Sequence, residues 1–380
     1  MTPSFAAAFA AGDPERLAAD CLAQLPAGAE ATLGVVYVSE PAAAILPRLL
    51  RELARGTGIE NWVGGVGLGV ISAAAAGHGR EVVDRPAASV LTMAFPPDSF
   101  RVFAATDDPA AELPRRHAGW IERVQPSLGL IHGDPRCTDL LRATTDAAAA
   151  SGAFLVGGLL SHRCATPLIA AGSNQDPLGK GGVSGVLLAP EIGVATTLSQ
   201  GCIPIGPVRR IDDARENVVI AIDGRPALSV FFEDIGPELA QNPRRLGNTV
   251  FAGLPVAGSD TGDYLVRNLL AIDPRQGWIV LGAEIGPGDP ILFCRRDPDS
   301  ARADLGRMLR QLAGRLAGPP KAGIYVSCVA RGAALFGEAG VETGLIRETL
   351  GEFPLAGFFA NGEISRDRLY GHTGVLTVFT

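Results

Sequence analysis

The sequence predicts an α/β fold (mixed α+β) with mixed sheets, in two domains built from repeated strand–helix–strand–strand units. Three observations predict it. The stretch Trp62-Val-Gly-Gly-Val-Gly-Leu-Gly-Val-Ile-Ser72 recurs without a gap as Leu355-Ala-Gly-Phe-Phe-Ala-Asn-Gly-Glu-Ile-Ser365, so that Gly64 falls on Gly357, Gly69 on Gly362, Ile71 on Ile364 and Ser72 on Ser365. Their flanks match too. Each is preceded by an apolar strand pattern and a helical stretch containing Arg-Glu (Arg51-Glu52, Arg347-Glu348), and each closes on a second strand pattern, at residues 90–95 and 375–379. Finally, the apolar residues are mostly Val, Ile, Leu and Ala, with 48 Gly and few aromatics, a composition suited to buried strands joined by tight turns.

In chain order, Asp13-Pro14 has the chemistry of a helix start, since Asp caps free N–H groups and Pro fits the first turn. A helical segment is therefore expected within residues 1–29. The first repeat occupies residues 31–96. A further copy follows, with a strand at 127–132, a helix at 138–151, a Gly-bearing strand at 153–161 and a return strand at 182–189. Beyond it the pattern shifts to short strands and turns. Residues 218–222, Asp223-Gly224 and residues 227–232 read as a β-hairpin. The polar segment 208–217 is the best boundary, giving domains 30–215 and 216–380. Residues 277–281 and 290–295 read as strands around the turn Gly286-Pro-Gly-Asp289. Asp297 then opens a helix whose Leu305, Met308, Leu309, Leu312 and Leu316 form one stripe, and the last repeat begins at 322.

Composition narrows the function classes. An apolar fraction of 47% with 19% charged residues excludes a disordered chain. A net charge of −7 without a basic stripe argues against nucleic acid or an anionic membrane as partner. No run approaches the roughly 18 apolar residues of a membrane span, and the N-terminus lacks the basic region of a signal peptide. The six cysteines (Cys21, Cys137, Cys164, Cys202, Cys294, Cys328) show no pairing rhythm and read as reduced and buried. A cytoplasmic protein is expected.

Cofactor fingerprints fail one by one. Gly65-Val-Gly-Leu-Gly69 lacks the spacing that admits a pyrophosphate. Gly179-Lys180 is followed by Gly181, and Asn174 stands where a P-loop needs Gly. The five histidines (His78, His117, His132, His162, His372) have no metal-ligand spacing, and Gly182-Val-Ser-Gly185 is not a nucleophile elbow. No cofactor or metal is implied. Gly64, Gly69, Gly357 and Gly362 are expected to serve backbone geometry or close packing.

The richest polar constellation lies in the last repeat. Cys328-Val-Ala-Arg331 leaves one strand, Asn361-Gly-Glu363 ends the next, and His372 enters the last. Residues just past strand ends face the crevice where ligands bind. Arg331 could grip a carboxylate bidentately while Glu363 takes an ammonium, so Cys328, Arg331, Asn361, Glu363 and His372 are the candidate ligand-binding residues. The alternative is that Arg331 and Glu363 pair with each other and pin the strands. A cysteine-dependent hydrolase or transferase using Cys328 and His372, with Asn361 orienting the imidazole, is the enzymatic reading. A protein-binding adaptor using sheet edges is a further one.

Cys328-Val-Ala-Arg331-Gly332, the stretch 354–364 and His372-Thr373 together resemble the C-terminal FIST domain. Val63-Gly-Gly-Val-Gly-Leu-Gly69 and Ser199-Gln-Gly-Cys-Ile-Pro-Ile-Gly206 resemble its N-terminal partner, although Leu68-Gly69-Val70 is apolar where that copy often is polar. The resemblance runs from about residue 30 to the end. It implies a bacterial sensory module of signal transduction that binds small ligands such as amino acids. Relatives carry it fused to kinase, methyl-accepting or F-box modules. With no room for such an output, the resemblance implies a stand-alone sensor that signals to a separate protein partner.

Overall fold

A computed structural model describes residues 4–26, 30–73, 79–161, 168–171, 178–241, 246, 249–256 and 264–380. His78, His162, Cys164 and Asn174 lie outside them. The chain forms two compact units, one of residues 1–199, 305–369 and 373–380, the other of residues 200–304 and 370–372. The last repeat groups with the first two in the larger unit.

The first repeat comprises β1 (Phe5–Ala11), α1 (Leu17–Leu22), β2 (Leu33–Ser39), α2 (Leu46–Thr57), β3 (Asn61–Gly67), β4 (Gly69–Ala73), β5 (Arg80–Val83) and β6 (Ala87–Met93). Residues 5–11, expected within a helical segment, are a strand paired with β6. Phe9 faces the central core while Ala8 and Ala10 face the helices, so a period of two overrides the run's helix-forming alanines. The helical start signalled by Asp13 does form beyond it, as a 3-10 turn over Pro14–Arg16 that leads into α1, with the Asp13 carboxylate accepting from the Glu15 N–H at 3.0 Å. The second repeat comprises β7 (Phe100–Thr106), α3 (Pro109–Val124), β8 (Leu128–Gly133), α4 (Leu140–Ser151), β9 (Phe154–Leu159), β10 (Leu168–Ala171), β11 (Leu178–Gly179) and β12 (Val183–Leu188), followed by β13 (Val194–Gln200).

The second unit is antiparallel. It holds β14 (Cys202–Pro204), β15 (Arg209–Arg215), β16 (Val218–Ile222), β17 (Arg225–Pro226), α5 (Ala227–Ala240), β18 (Val250–Pro255), β19 (Tyr264–Asp273), β20 (Trp278–Leu281) and β21 (Pro290–Arg296). The path β21-β15-β16-β20-β19-β18 returns to β21 and closes a circuit. Residues 227–232 were expected as the return strand of a hairpin, but only Arg225 and Pro226 pair back, across Asp223 (φ 48) and Gly224 (φ 72). Ala227, Phe231 and Ile235 recur at helical spacing and are buried, so α5 forms instead and packs on Ile211, Val219, Ile279 and Phe293.

The third repeat comprises α6 (Pro298–Ala313), β22 (Ala322–Cys328), α7 (Ala333–Phe336), α8 (Val341–Leu350), β23 (Leu355–Ala360), β24 (Glu363–Ser365), β25 (Arg368–Tyr370) and β26 (Thr373–Phe379). Asp297 accepts from the N–H groups of Asp299 and Ser300 at 2.9 and 3.2 Å, capping α6 as its sequence predicts. Leu305, Met308, Leu309 and Leu312 are buried on one stripe.

The three repeats exchange strands in a cycle. In each, a parallel pair forms (β2–β3, β8–β9, β22–β23) and a return strand flanks it antiparallel (β6, β12, β26). The chain leaving the second strand of each pair then crosses to a different repeat's sheet. β4 joins β23, β10 joins β3, and β24 joins β9. The register is the same each time: Gly64 lies between Val36 and Ile169, Gly157 between Ile131 and Ile364, and Gly357 between Tyr325 and Ile71. A Cβ on any of the three glycines would overlap the carbonyl oxygen of Val36, Ile131 or Tyr325 respectively, so only Gly lets the strands close. The inner faces of the three sheets share one core, where Tyr37 donates to or accepts from His132 Nε2 at 2.9 Å and stacks on Phe358. The outer faces carry the helices.

Candidate functional site

Along β22, Val326 and Cys328 point to the shared core side while Tyr325 and Ser327 face α8, the alternation of any strand. The α8 residue they meet is Glu342, in the first turn, and it is fully buried. Its Oε1 accepts from Tyr325 Oη at 2.6 Å and Arg331 Nε at 2.8 Å, and its Oε2 from Ser327 Oγ at 2.9 Å and the Gly332 N–H at 3.2 Å. Four donors on one carboxylate satisfy it. Burial, then Glu342, pushes the Tyr325 phenol well above its ordinary value.

Arg331 is fully buried yet half used. Its Nε is spent on Glu342, its guanidinium lies 5.7 Å from the Phe336 ring, and neither Nη1 nor Nη2 has a hydrogen-bond partner among the described residues. Burial works against its charge, but Glu342, Tyr325 and Glu363 outweigh it and hold the guanidinium protonated. A buried donor without a partner costs about 1–3 kcal/mol, more when charged, so such an arrangement needs a reason.

Glu363 lies on the other side of the strand ends, also fully buried. Its Oε2 accepts from the Thr373 N–H at 3.1 Å and Thr373 Oγ1 at 2.7 Å, and the Cys328 thiol adds a weaker contact. Burial pushes its carboxyl up to about 8, despite Thr373 and Arg331 pulling the other way. Glu81, on β5, is pushed up to about 7 by burial first and by Glu342 second.

The structure therefore gathers Cys328, Arg331 and Glu363 of the expected set. Arg331 pairs with Glu342, not with Glu363, because α8 brings Glu342 against the face of β22 from which the Arg331 turn departs. Asn361 sits in the β23–β24 turn with its side chain exposed, while its N–H donates to the Leu159 carbonyl at 3.0 Å. His372 (φ 61) belongs to the second unit, its ring 4.3 Å from that of Phe251. Gly362 (φ 133) takes a left-handed conformation, and a Cβ on Gly69 would meet the Val82 carbonyl. Sequence reasoning missed Tyr325, Ser327, Glu342 and Glu81. The first two had a signal: they are polar residues two apart in a strand whose first-repeat counterparts are Val36 and Val38.

Two family models together match most of the chain, dividing it near residue 226. The FIST N domain matches residues 32–225 and the FIST C domain residues 227–366. The uncharacterized protein Rv0628c of Mycobacterium tuberculosis is 34% identical over 241 residues, 60% of this chain and 61% of that protein. The uncharacterized protein Mb0898c of Mycobacterium bovis is 34% identical over 208 residues, 52% of this chain and 53% of that protein. The chain thus spans less than two thirds of the length of the curated relatives it matches. Among the described residues no helix is long and apolar enough to cross a membrane. The chain belongs to the FIST family, whose domains are sensory modules associated with signal transduction and small-ligand binding.

Proposed function

We propose that this protein senses a small carboxylate-bearing ligand, such as an amino acid, at the strand ends of the third repeat, and signals its occupancy to a separate protein. One observation carries the reading: Arg331 is fully buried with Nη1 and Nη2 unpartnered, beside a Glu342 already saturated by four donors. A guanidinium fork with two free prongs matches a carboxylate bidentately. Cys328 and Glu363 form the wall next to it. A carboxylate there would satisfy the two nitrogens that Glu342 leaves unpaired.

The geometry speaks less for a thiol enzyme. The neighbour of Cys328 is the Glu363 carboxyl, pushed up to about 8, and a neutral acid does not stabilise a thiolate. The test is a thermal-shift screen of the twenty amino acids and related carboxylates on the wild type and Arg331→Lys. The variant keeps the charge facing Glu342 but loses the fork. A ligand that raises the wild-type Tm and binds the variant at least tenfold more weakly supports the reading; equal affinity for both proteins refutes it.

A further inference from the structure

The β4–β5 hairpin leaves the first repeat and lies on the third repeat's sheet, where Ile71 pairs with Gly357 on one side and Glu81 on the other. Strand exchange thereby carries an acidic residue from the first repeat to the buried guanidinium of the third. Glu81 feels Arg331 as an attraction and Glu342 as a repulsion. A Cβ on Gly332 would stand 3.3 Å from Glu81 Oε2 and 2.8 Å from the Phe359 ring, so the residue after Arg331 leaves space for the carboxylate only as glycine. Both Glu81 oxygens are buried; the Gly340 N–H eases their burial, but neither closes a hydrogen bond of ordinary geometry.

Two complementary groups therefore stand in one interior without joining: Arg331 with two unused nitrogens and Glu81 with two unused oxygens. Buried unsatisfied groups are few in folded proteins and call for an explanation, and a third body that bridges the two satisfies both at once. Glu363 leaves only its Oε1 unpaired and is the weaker candidate for that role, since Thr373 and Cys328 already engage its carboxyl. We infer that Glu81 is the second half of the ligand site: it accepts the ammonium of a small zwitterion whose carboxylate Arg331 holds. The inference rests on the reading of Arg331 given above. It makes the site a product of two repeats, assembled by the exchanged hairpin.

The experiment uses the full chain, titrated with the twenty amino acids, each beside the carboxylic acid that lacks only its amino group. Glu81→Gln preserves shape and removes the charge. It is expected to weaken an amino acid at least tenfold and to leave the matching desamino acid unchanged, whereas Arg331→Lys weakens both. If Glu81→Gln weakens both members of a pair alike, or neither, while Arg331→Lys weakens both, the inference is overturned and the Arg331 reading stands. If no carboxylate binds the wild type, or Arg331→Lys changes nothing, that reading fails and this one with it. A bridging water alone gives the same null titration. Glu81→Asp, which keeps the charge but withdraws it, is expected to lose part of the amino acid's affinity and supplies the same discrimination where Glu81→Gln folds poorly.

Discussion

The first and third repeats share a backbone and differ on one face. Each sets a parallel strand pair around a glycine and covers the outer side with a helix. In the first, Val36 and Val38 pack against Leu46, Leu49 and Leu53 of α2. At the corresponding positions of the third stand Tyr325 and Ser327, and they meet Glu342. The second repeat resembles the first, with Ile131 against Leu140 and Ala143. The architecture is thus satisfied twice by hydrocarbon. The polar set of the third repeat is not a requirement of the fold, and its cost must be offset by something the other repeats do not do.

Arg331→Ala is the strongest way to break this contrast. It leaves Glu342 buried without its counter-ion, and the loss of one partner of a buried pair costs about 3–5 kcal/mol. Urea denaturation should show it. Replacing the whole set at once (Tyr325→Val, Ser327→Val, Arg331→Met, Glu342→Leu) is expected to leave the fold intact and its stability unchanged or raised by about 1–4 kcal/mol, because the first repeat's solution is restored. A quadruple variant that unfolds would show the polar set to be structural after all.

The next largest effect tests the likeness instead of the difference. Gly64→Ala, Gly157→Ala and Gly357→Ala each drive a methyl group into a strand carbonyl. Each should destabilise by roughly 3 kcal/mol or more, since strain and backbone displacement add to the usual Gly effect. The three midpoints should fall together. One tolerant position would mean that its repeat closes differently from the other two.

How much of this could be read from the sequence depends on whether the interaction is local. The Gly64/Gly357 register and the ungapped match were visible because each repeat carries its own glycine, and the α6 cap because Asp297 acts within three residues. Arg331 and Glu363 were identified as strand-end residues from the same pattern. Glu342 was not, because an acid in a helix's first turn ordinarily serves the helix dipole in solvent, and only α8's packing against β22 shows that this one faces inward. Glu81 was out of reach altogether: it comes from the first repeat, through a strand exchange that no local periodicity announces. Residues 5–11 and 227–232 went astray for the opposite reason. Short apolar runs fit both periods, and the neighbour decides between them.

The effects of pH set the shared core against the buried acids around Arg331. His132, at the shared core with Tyr37, is lowered by burial to about 3 from 6.5. The folded protein keeps it neutral while the unfolded chain takes up a proton below 6.5, so stability should fall as pH drops from 6.5 toward 3, by about 1.4 kcal/mol per pH unit. Glu363 and Glu81 act with the opposite sign. Burial raises them to about 8 and about 7 from 4.5, so the folded protein holds protons the unfolded chain has released. Their contribution is complete below 4.5 and disappears as pH rises through 7 and 8. Glu363→Gln should remove its share of the loss across pH 4.5 to 8, leaving a shallower limb that ends near 7, the share of Glu81. His132→Asn should flatten the acid limb alone. Denaturation midpoints at half-unit steps from pH 3 to 9 on the two variants and the wild type resolve these limbs. If Glu363→Gln instead changes the slope below pH 4.5, where Glu363 is protonated in both states, the buried acid is coupled to the core histidine, and the separation of the two regions is wrong.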